Sequence, residues 1–178
     1  MNKFLLSMLI GFTVMNSNHA GAASSESLQV VQGFDVSRYL GKWYEIASFP
    51  QSFQKGCEAT TATYSLRDNG TIKVLNECHL GAIDGPLKSA TGTAWQTSES
   101  EPAKLRVQFF WPFSGKYWVI DLGKEYEYAV VGHPNRKYLW ILSRTPVISE
   151  EVYQQITTRV EAMGFNLDRL RRTAQPNN

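Results

Sequence analysis

From residue 43 onward the chain repeats one pattern, in which short runs carry apolar side chains at alternate positions and end in Gly, Pro, Asn or Asp. Ala62, Tyr64 and Leu66 alternate in this way, as do Ile72, Val74 and Asn76, and again Leu105, Val107 and Phe109. Enrichment in β-branched and aromatic residues predicts eight strands, near 43–49, 59–66, 71–77, 88–96, 104–110, 116–122, 125–132 and 138–143. A short helical turn precedes them at 35–40, with Asp35 placed to cap it. One longer helix follows, in which Ser149 caps Glu150 and Glu151, Val152, Ile156, Val160 and Met163 form the apolar stripe, and Gly164 ends it. A single helix cannot cover both faces of an eight-stranded sheet. The fold expected is therefore all-β, an up-and-down antiparallel barrel closed on itself with the C-terminal helix packed outside. Eight strands leave room for one small ligand inside.

The N-terminus follows a different pattern. Lys3, the apolar run Phe4 to Met15 and the small residues Ala20, Gly21 and Ala22 read as an export signal over residues 1–22. The apolar run is too short to span a bilayer, so cleavage is expected in preference to an uncleaved anchor. The remaining divisions are a polar segment at 23–33, one domain at 34–172 and a flexible tail at 173–178. Lys plus Arg total 18 and Asp plus Glu 16, a net charge of +2, which supplies no field to attract a phosphate backbone, and nucleic acid is not an expected partner.

Cys57 and Cys78 are the only two cysteines, and an even count in an exported chain reads first as a disulfide. Folding the second and third strands about Asn69-Gly70 sets Tyr64 beside Val74 and Thr60 beside Cys78, so Cys57 comes within reach after modest bending. The alternative is a nucleophilic thiol beside a base such as His79. His79 and His133 have no metal-ligand spacing, and no metal or other cofactor is expected. The chain carries no Gly-rich phosphate loop and no Gly-x-Ser-x-Gly nucleophile elbow.

Three blocks together resemble the signature regions of the lipocalins: Gly41-Lys42-Trp43-Tyr44-Glu45, Glu125-Tyr126, and Arg144. The resemblance runs from about Phe34 to Leu170, and it is strongest to the bacterial outer-membrane lipocalins, with apolipoprotein D and the plant temperature-induced lipocalins in the neighbouring branch. It implies that Gly41, Trp43, Tyr126 and Arg144 are structural, with Trp43 plugging the closed end of the barrel and the Arg144 guanidinium packed across the indole. From the apolipoprotein D branch it implies a pocket at Tyr64, Asn76 and Trp140. Phe109, Phe110, Trp111, Phe113, Tyr117 and Trp118 crowd one turn too densely for alternation alone, which places some of them at the barrel mouth, facing ligand, membrane or a second subunit. Phe109, Trp111 and Trp118 are accordingly counted with the ligand-binding residues.

The function implied is non-enzymatic: carriage or storage of fatty acids or lysophospholipids for maintenance of envelope membranes. Peripheral membrane contact and homodimerisation are further partners suggested by the resemblance, and the basic run Arg169, Arg171, Arg172 could touch anionic lipid heads. Residues 16–23 hold no cysteine to carry a lipid, so a soluble periplasmic location is expected, with outer-membrane association or secretion as alternatives. Two other readings stand beside the carrier. One is a lipid- or prostanoid-modifying enzyme with a free pocket cysteine, and the other is a haem or tetrapyrrole binder with an inward His79.

Overall fold

The computed structural model describes residues 27–176, so the expected export signal at 1–22 lies outside the described residues. Eight strands follow one another: β1 (Gly41–Ser48), β2 (Cys57–Leu66), β3 (Ile72–Leu80), β4 (Leu87–Gln96), β5 (Lys104–Phe110), β6 (Phe113–Leu122), β7 (Tyr128–Gly132) and β8 (Leu139–Ser143). Each is antiparallel to the next, and β1 pairs with both β2 and β8, so the sheet closes into a barrel. A turn of helix, α1 (Val36–Tyr39), precedes the barrel, with the Asp35 carboxylate accepting from the Ser37 N–H. The helix α2 (Glu150–Ala162) follows it, capped by the Ser149 hydroxyl, which accepts from the Val152 N–H.

Alternation then divides the strand side chains into two sets. Outward Ile46, Ala47, Val130, Leu139 and Ile141 pack under Ile156, Val160 and Phe165 in one buried cluster. The inward set forms a second cluster with Trp43, Tyr64, Ile72, Val74, Leu105 and Val119. Arg159 of α2 pins the helix to the barrel, donating to Asp121 at 2.9 Å and to the Tyr128 hydroxyl at 2.9 Å. Gly132 is the close point of this packing: a Cβ there would lie 2.8 Å from Phe165 and 2.9 Å from Ile120.

Several boundaries depart from expectation, two of them for evident local reasons. β7 starts at Tyr128 because Tyr126 takes a left-handed φ of 62° in a turn where its N–H donates to the Gly123 carbonyl. β6 starts at Phe113 because Trp111 and Pro112 alone make the turn from β5. The segments flanking the domain also belong to it. Leu28 and Val30, expected in a polar lead-in, are buried, and the Val31 N–H donates to Val119 of β6.

The expected flexible tail is likewise held through Gln175. Beyond Tyr44 and Thr61, β1 and β2 no longer pair, and the C-terminal segment lies between them. A two-residue strand, β9 (Arg171–Arg172), pairs with β1; the Thr173 N–H then donates to Ile46, Ala59 donates to Ala174, and the Gln175 amide donates to the carbonyls of Glu45 and Thr60.

Replacing Gly132 by Ala overfills the helix–barrel contact and is expected to destabilise the fold by about 1–3 kcal/mol. Gly115→Ala, with open space around its Cβ, should not lower stability. Urea unfolding followed by tryptophan fluorescence tests the contrast.

Candidate functional site

The lower end of the barrel is sealed. Gly41 has φ +93°, and a Cβ on it would press to 3.4 Å from the Arg144 guanidinium, so the bend into β1 suits glycine alone. The guanidinium carbon lies 3.8 Å from the centre of the Trp43 ring. Its nitrogens donate to the carbonyls of Arg38 (2.7 Å) and Lys42 (3.0 Å), and more weakly to that of Tyr126 (3.4 Å). Burial pulls the Arg144 pKa below its usual value, although arginine remains charged at any physiological pH. The Trp43 indole N–H donates to Tyr39 at 2.8 Å, and the Tyr126 hydroxyl accepts from the Asp35 N–H at 2.8 Å. These four signature residues tie α1, β1 and the chain after β8 into one stopper.

Above it the interior changes character. Ile72, Val74, Leu105 and Val119 are buried, whereas Val107, Phe109, Tyr117, Trp140 and Ala62, nearer the other end, are only partly so. The register places Asn76 between Ala62 and Ala90 on this inward face, and Val74 between Tyr64 and Gly92. Gly92 has no room for a Cβ, which would stand 2.8 Å from the Gln108 carbonyl oxygen and 2.9 Å from the Phe109 ring, so that ring approaches the strand backbone closely. The upper barrel is thus a cup with apolar walls, open to water at the end away from Trp43.

Two polar features line it. Tyr117 joins the hydroxyls of Tyr39 (2.7 Å) and Tyr64 (2.8 Å). Burial pushes the Tyr64 pKa up to about 12, and raises those of Tyr39 and Tyr117 well above the ordinary tyrosine value for the same reason. Three hydroxyls carry three protons but make two bonds among themselves, so one O–H donor remains unused. The second feature is the Asn76 side-chain oxygen, a buried acceptor with no partner. The cup therefore offers one spare donor and one spare acceptor in an apolar setting.

Trp140 is positioned by a relay that sequence reasoning missed. Its N–H donates to Gln54 (3.1 Å), Gln54 donates to the buried Glu45 carboxylate (2.8 Å), and Glu45 also accepts from Ser48 (2.9 Å) and Thr173 (2.6 Å). Glu45 had a legible signal, since it is two residues from Trp43 on the same strand and so shares its inward face. Nothing in the sequence pattern pointed to Gln54 or Thr173. Glu45 and Gln54 also border a crevice of about 480 Å³ beside the C-terminal segment, together with Gln51, Cys57, Arg171 and Arg172.

Two expected ligand residues lie elsewhere. Trp118 alternates with inward Tyr117 and lies on the outer face, with the ammonium groups of Lys104 and Lys116 over its ring at 4.6 and 5.6 Å. Trp111, at the tip of the β5–β6 turn, is 86% exposed. A shift of register between Val107 and Phe110 ends regular alternation before this turn, which is why the aromatic run could not be sorted from sequence.

Cys57 and Cys78 form a disulfide with their Cα atoms 5.3 Å apart. A bulge at Ala59 (φ 49°) shifts the register between Glu58 and Thr61 and lets the two positions meet. Both sulfurs are in that bond, so the enzyme reading lacks its thiolate. His79 alternates with inward Cys78 and faces away from the cup, with Nδ1 2.7 Å from the Gly85 carbonyl, so the haem reading lacks its axial ligand. No group of three or more His, Cys, Asp or Glu side chains among the described residues could hold a metal.

Comparison with known proteins agrees with this architecture. Residues 34–175 match the family model described as a lipocalin-like domain. The chain is 46% identical over 147 residues to the outer membrane lipoprotein Blc of Escherichia coli K12, covering 83% of this chain and 82% of that one. It is 36% identical over 187 residues to apolipoprotein D of Mus musculus, covering 99% and 96%. Among solved structures, insecticyanin of the tobacco hornworm Manduca sexta superposes with a TM-score of 0.67 at 21% identity, covering 85% and 86%, a likeness of fold.

Tyr117→Phe removes the oxygen shared by Tyr39 and Tyr64 and should destabilise the barrel by about 1–3 kcal/mol. The same cluster dictates alkaline behaviour. Tyr64 ionises at about 12 in the folded chain against roughly 10 unfolded, so the unfolded chain loses its proton first. Stability should hold as pH rises to the unfolded value and fall between there and the folded value. Tyrosinate absorbance, followed together with unfolding, should show these tyrosines ionising only as the barrel opens.

Proposed function

Because the chain belongs to the lipocalin family, we propose that its cup carries or stores small hydrophobic ligands, fatty acids or lysophospholipids, without catalysing a reaction on them. The observation that supports this most is the half-filled interior. Side chains near Trp43 are buried, and those lining the upper half, Phe109 and Trp140 among them, keep accessible apolar surface. Each methylene buried there contributes about 0.8 kcal/mol, so a long acyl chain gains micromolar affinity after ordering costs. Tyr64, Asn76, Trp140 and Phe109 are the proposed ligand contacts. The spare donor of the tyrosine cluster and the spare acceptor of Asn76 suit a polar head that both accepts and donates, such as a glycerol hydroxyl beside an ester.

The setting proposed is the cell envelope, where the ligand serves maintenance of membrane lipid. The relative named an outer membrane lipoprotein supports export, and the disulfide suits an oxidising compartment. Removal of the signal after about residue 22 and a soluble periplasmic form belong to the same proposal, as does a homodimer suggested by the family resemblance. No helix among the described residues is long and apolar enough to cross a membrane.

Protein purified without detergent should show bound acyl lipid by native mass spectrometry, lost on organic extraction and regained on incubation with lysophospholipid. Asn76→Leu removes the unpartnered acceptor, so the empty barrel should be at least as stable, while lysophospholipid binding falls about tenfold. A barrel that is empty as isolated and takes up neither fatty acid nor lysophospholipid would sink the carrier reading.

A further inference from the structure

Large apolar side chains left in water are unevenly distributed over this barrel. Ten are strongly exposed among the described residues, and eight of them sit at the open end of the cup. The remaining two, Leu66 and Val147, lie at the sealed end. The β5–β6 turn presents Phe110, Trp111 and Phe113, which are 77%, 86% and 78% exposed. The β3–β4 loop adds Leu80, Ile83 and Leu87. Phe53 projects from the β1–β2 loop, whose carbonyl at that residue accepts from Lys88. Tyr138 completes the ring from the β7–β8 loop. Four separate loops thus carry apolar tips around one opening, where burial inside the protein cannot account for them.

Charge is divided along the same axis. The four loops at the mouth contain Lys55, Arg136 and Lys137 against Asp84 alone. The basic run Arg169, Arg171, Arg172 adjoins them, with Arg169 donating to the Lys137 carbonyl, and it stays net positive although Arg172 pairs with Glu150 and Asp168 precedes it. The three loops at the sealed end carry Asp68, Glu99, Glu101, Glu125 and Glu127 against Arg67 and Lys124, and the stopper adds Arg38, Lys42 and Arg144 against Asp35, which leaves that end close to neutral. An anionic surface therefore attracts the mouth more strongly than the base, so the molecule is oriented before contact.

We infer that the mouth of the barrel is a docking face for an anionic lipid bilayer, with Phe110, Trp111 and Phe113 entering the interface and the flanking lysines and arginines meeting the head groups. A second copy of the chain is the other apolar partner that could cover these tips. Mouth-to-mouth pairing would bring two sets of basic loops together, and the apolar side chains form a ring about an opening instead of one flat patch. A lipid surface satisfies both the ring and the charge. The inference rests on the carrier reading for its purpose, since a cup seated on a bilayer exchanges an acyl chain without exposing it to water.

Full-length processed protein is mixed with phosphatidylglycerol vesicles and, in parallel, phosphatidylcholine vesicles, then sedimented. Binding to phosphatidylglycerol is expected, weaker with phosphatidylcholine and weakened by salt. The triple variant Phe110→Ser, Trp111→Ser, Phe113→Ser should lose about tenfold in partitioning, while Leu66→Ser with Val147→Ser, removing exposed apolar surface at the sealed end, should bind as the parent does. Absence of binding to either vesicle overturns the inference, as does equal loss in the sealed-end variant. A dimer in vesicle-free buffer that the triple variant dissociates, with no vesicle binding, assigns the face to a second copy and overturns it as well. Fluorescent fatty acid uptake in vesicle-free solution separates the two readings. A barrel that docks but takes up no ligand leaves the docking face standing and the carrier failed, and one that loads from solution but ignores vesicles does the reverse.

Discussion

Closure of the sheet through β1 is the constraint on which the remaining structure depends. This strand pairs with β2 along one edge and β8 along the other, so no open edge remains along the paired length. Every inward side chain must then share one enclosed volume. Such a volume cannot be half satisfied at its ends. Residues entering and leaving the barrel seal one end, and the other stays open as a cup. The Arg144 guanidinium across Trp43 is what makes the sealed end a stop, because it covers an indole face and three carbonyls that would otherwise face water.

Given that seal, the interior grades from filler to lining along a single axis. Buried aliphatics surround Trp43, the linked hydroxyls of Tyr39, Tyr117 and Tyr64 follow, and Asn76, Phe109 and Trp140 line the accessible part above them. The tyrosine cluster sits where apolar packing gives way to accessible surface. Its hydroxyls hold two strands, β2 and β6, and the helical turn α1 in fixed relation, so the floor is tied together while the rim is made of loops. The rim differs again, since its loops expose aromatic and basic groups that neither fill the core nor line the cup.

The strands were legible because alternation is local: Ala62, Tyr64 and Leu66 declare a face without reference to anything distant. The same rule read Asn76 as inward, and capping preference, which is equally local, identified Asp35 and Ser149. The signature residues were legible through family resemblance, since nothing in Trp43 or Arg144 taken separately shows that they touch across about a hundred positions. Alternation failed where the backbone departs from it. At the shift between Val107 and Phe110 the pattern no longer says which aromatic faces in, so Trp111 and Trp118 were grouped with residues they do not join. The relay from Thr173 through Glu45 and Gln54 to Trp140 was illegible for another reason: it joins a strand, a loop and the chain's end by side-chain hydrogen bonds, which leave no periodic trace.

The C-terminal segment lying between β1 and β2 imposes an order of events on the making of the molecule. β1 is among the first parts of the domain to be synthesised, yet β8 on one of its edges and the residues around Thr173 on the other emerge last. Hairpins β2–β3 and β5–β6 can form as they appear, because their contacts are near in sequence. The wall itself cannot be finished until β8 and residues 171–175 reach β1, so a chain lacking them remains an open ribbon. Completion of the container therefore waits on the residues around Thr173, and until they dock the upper wall between β1 and β2 stays open.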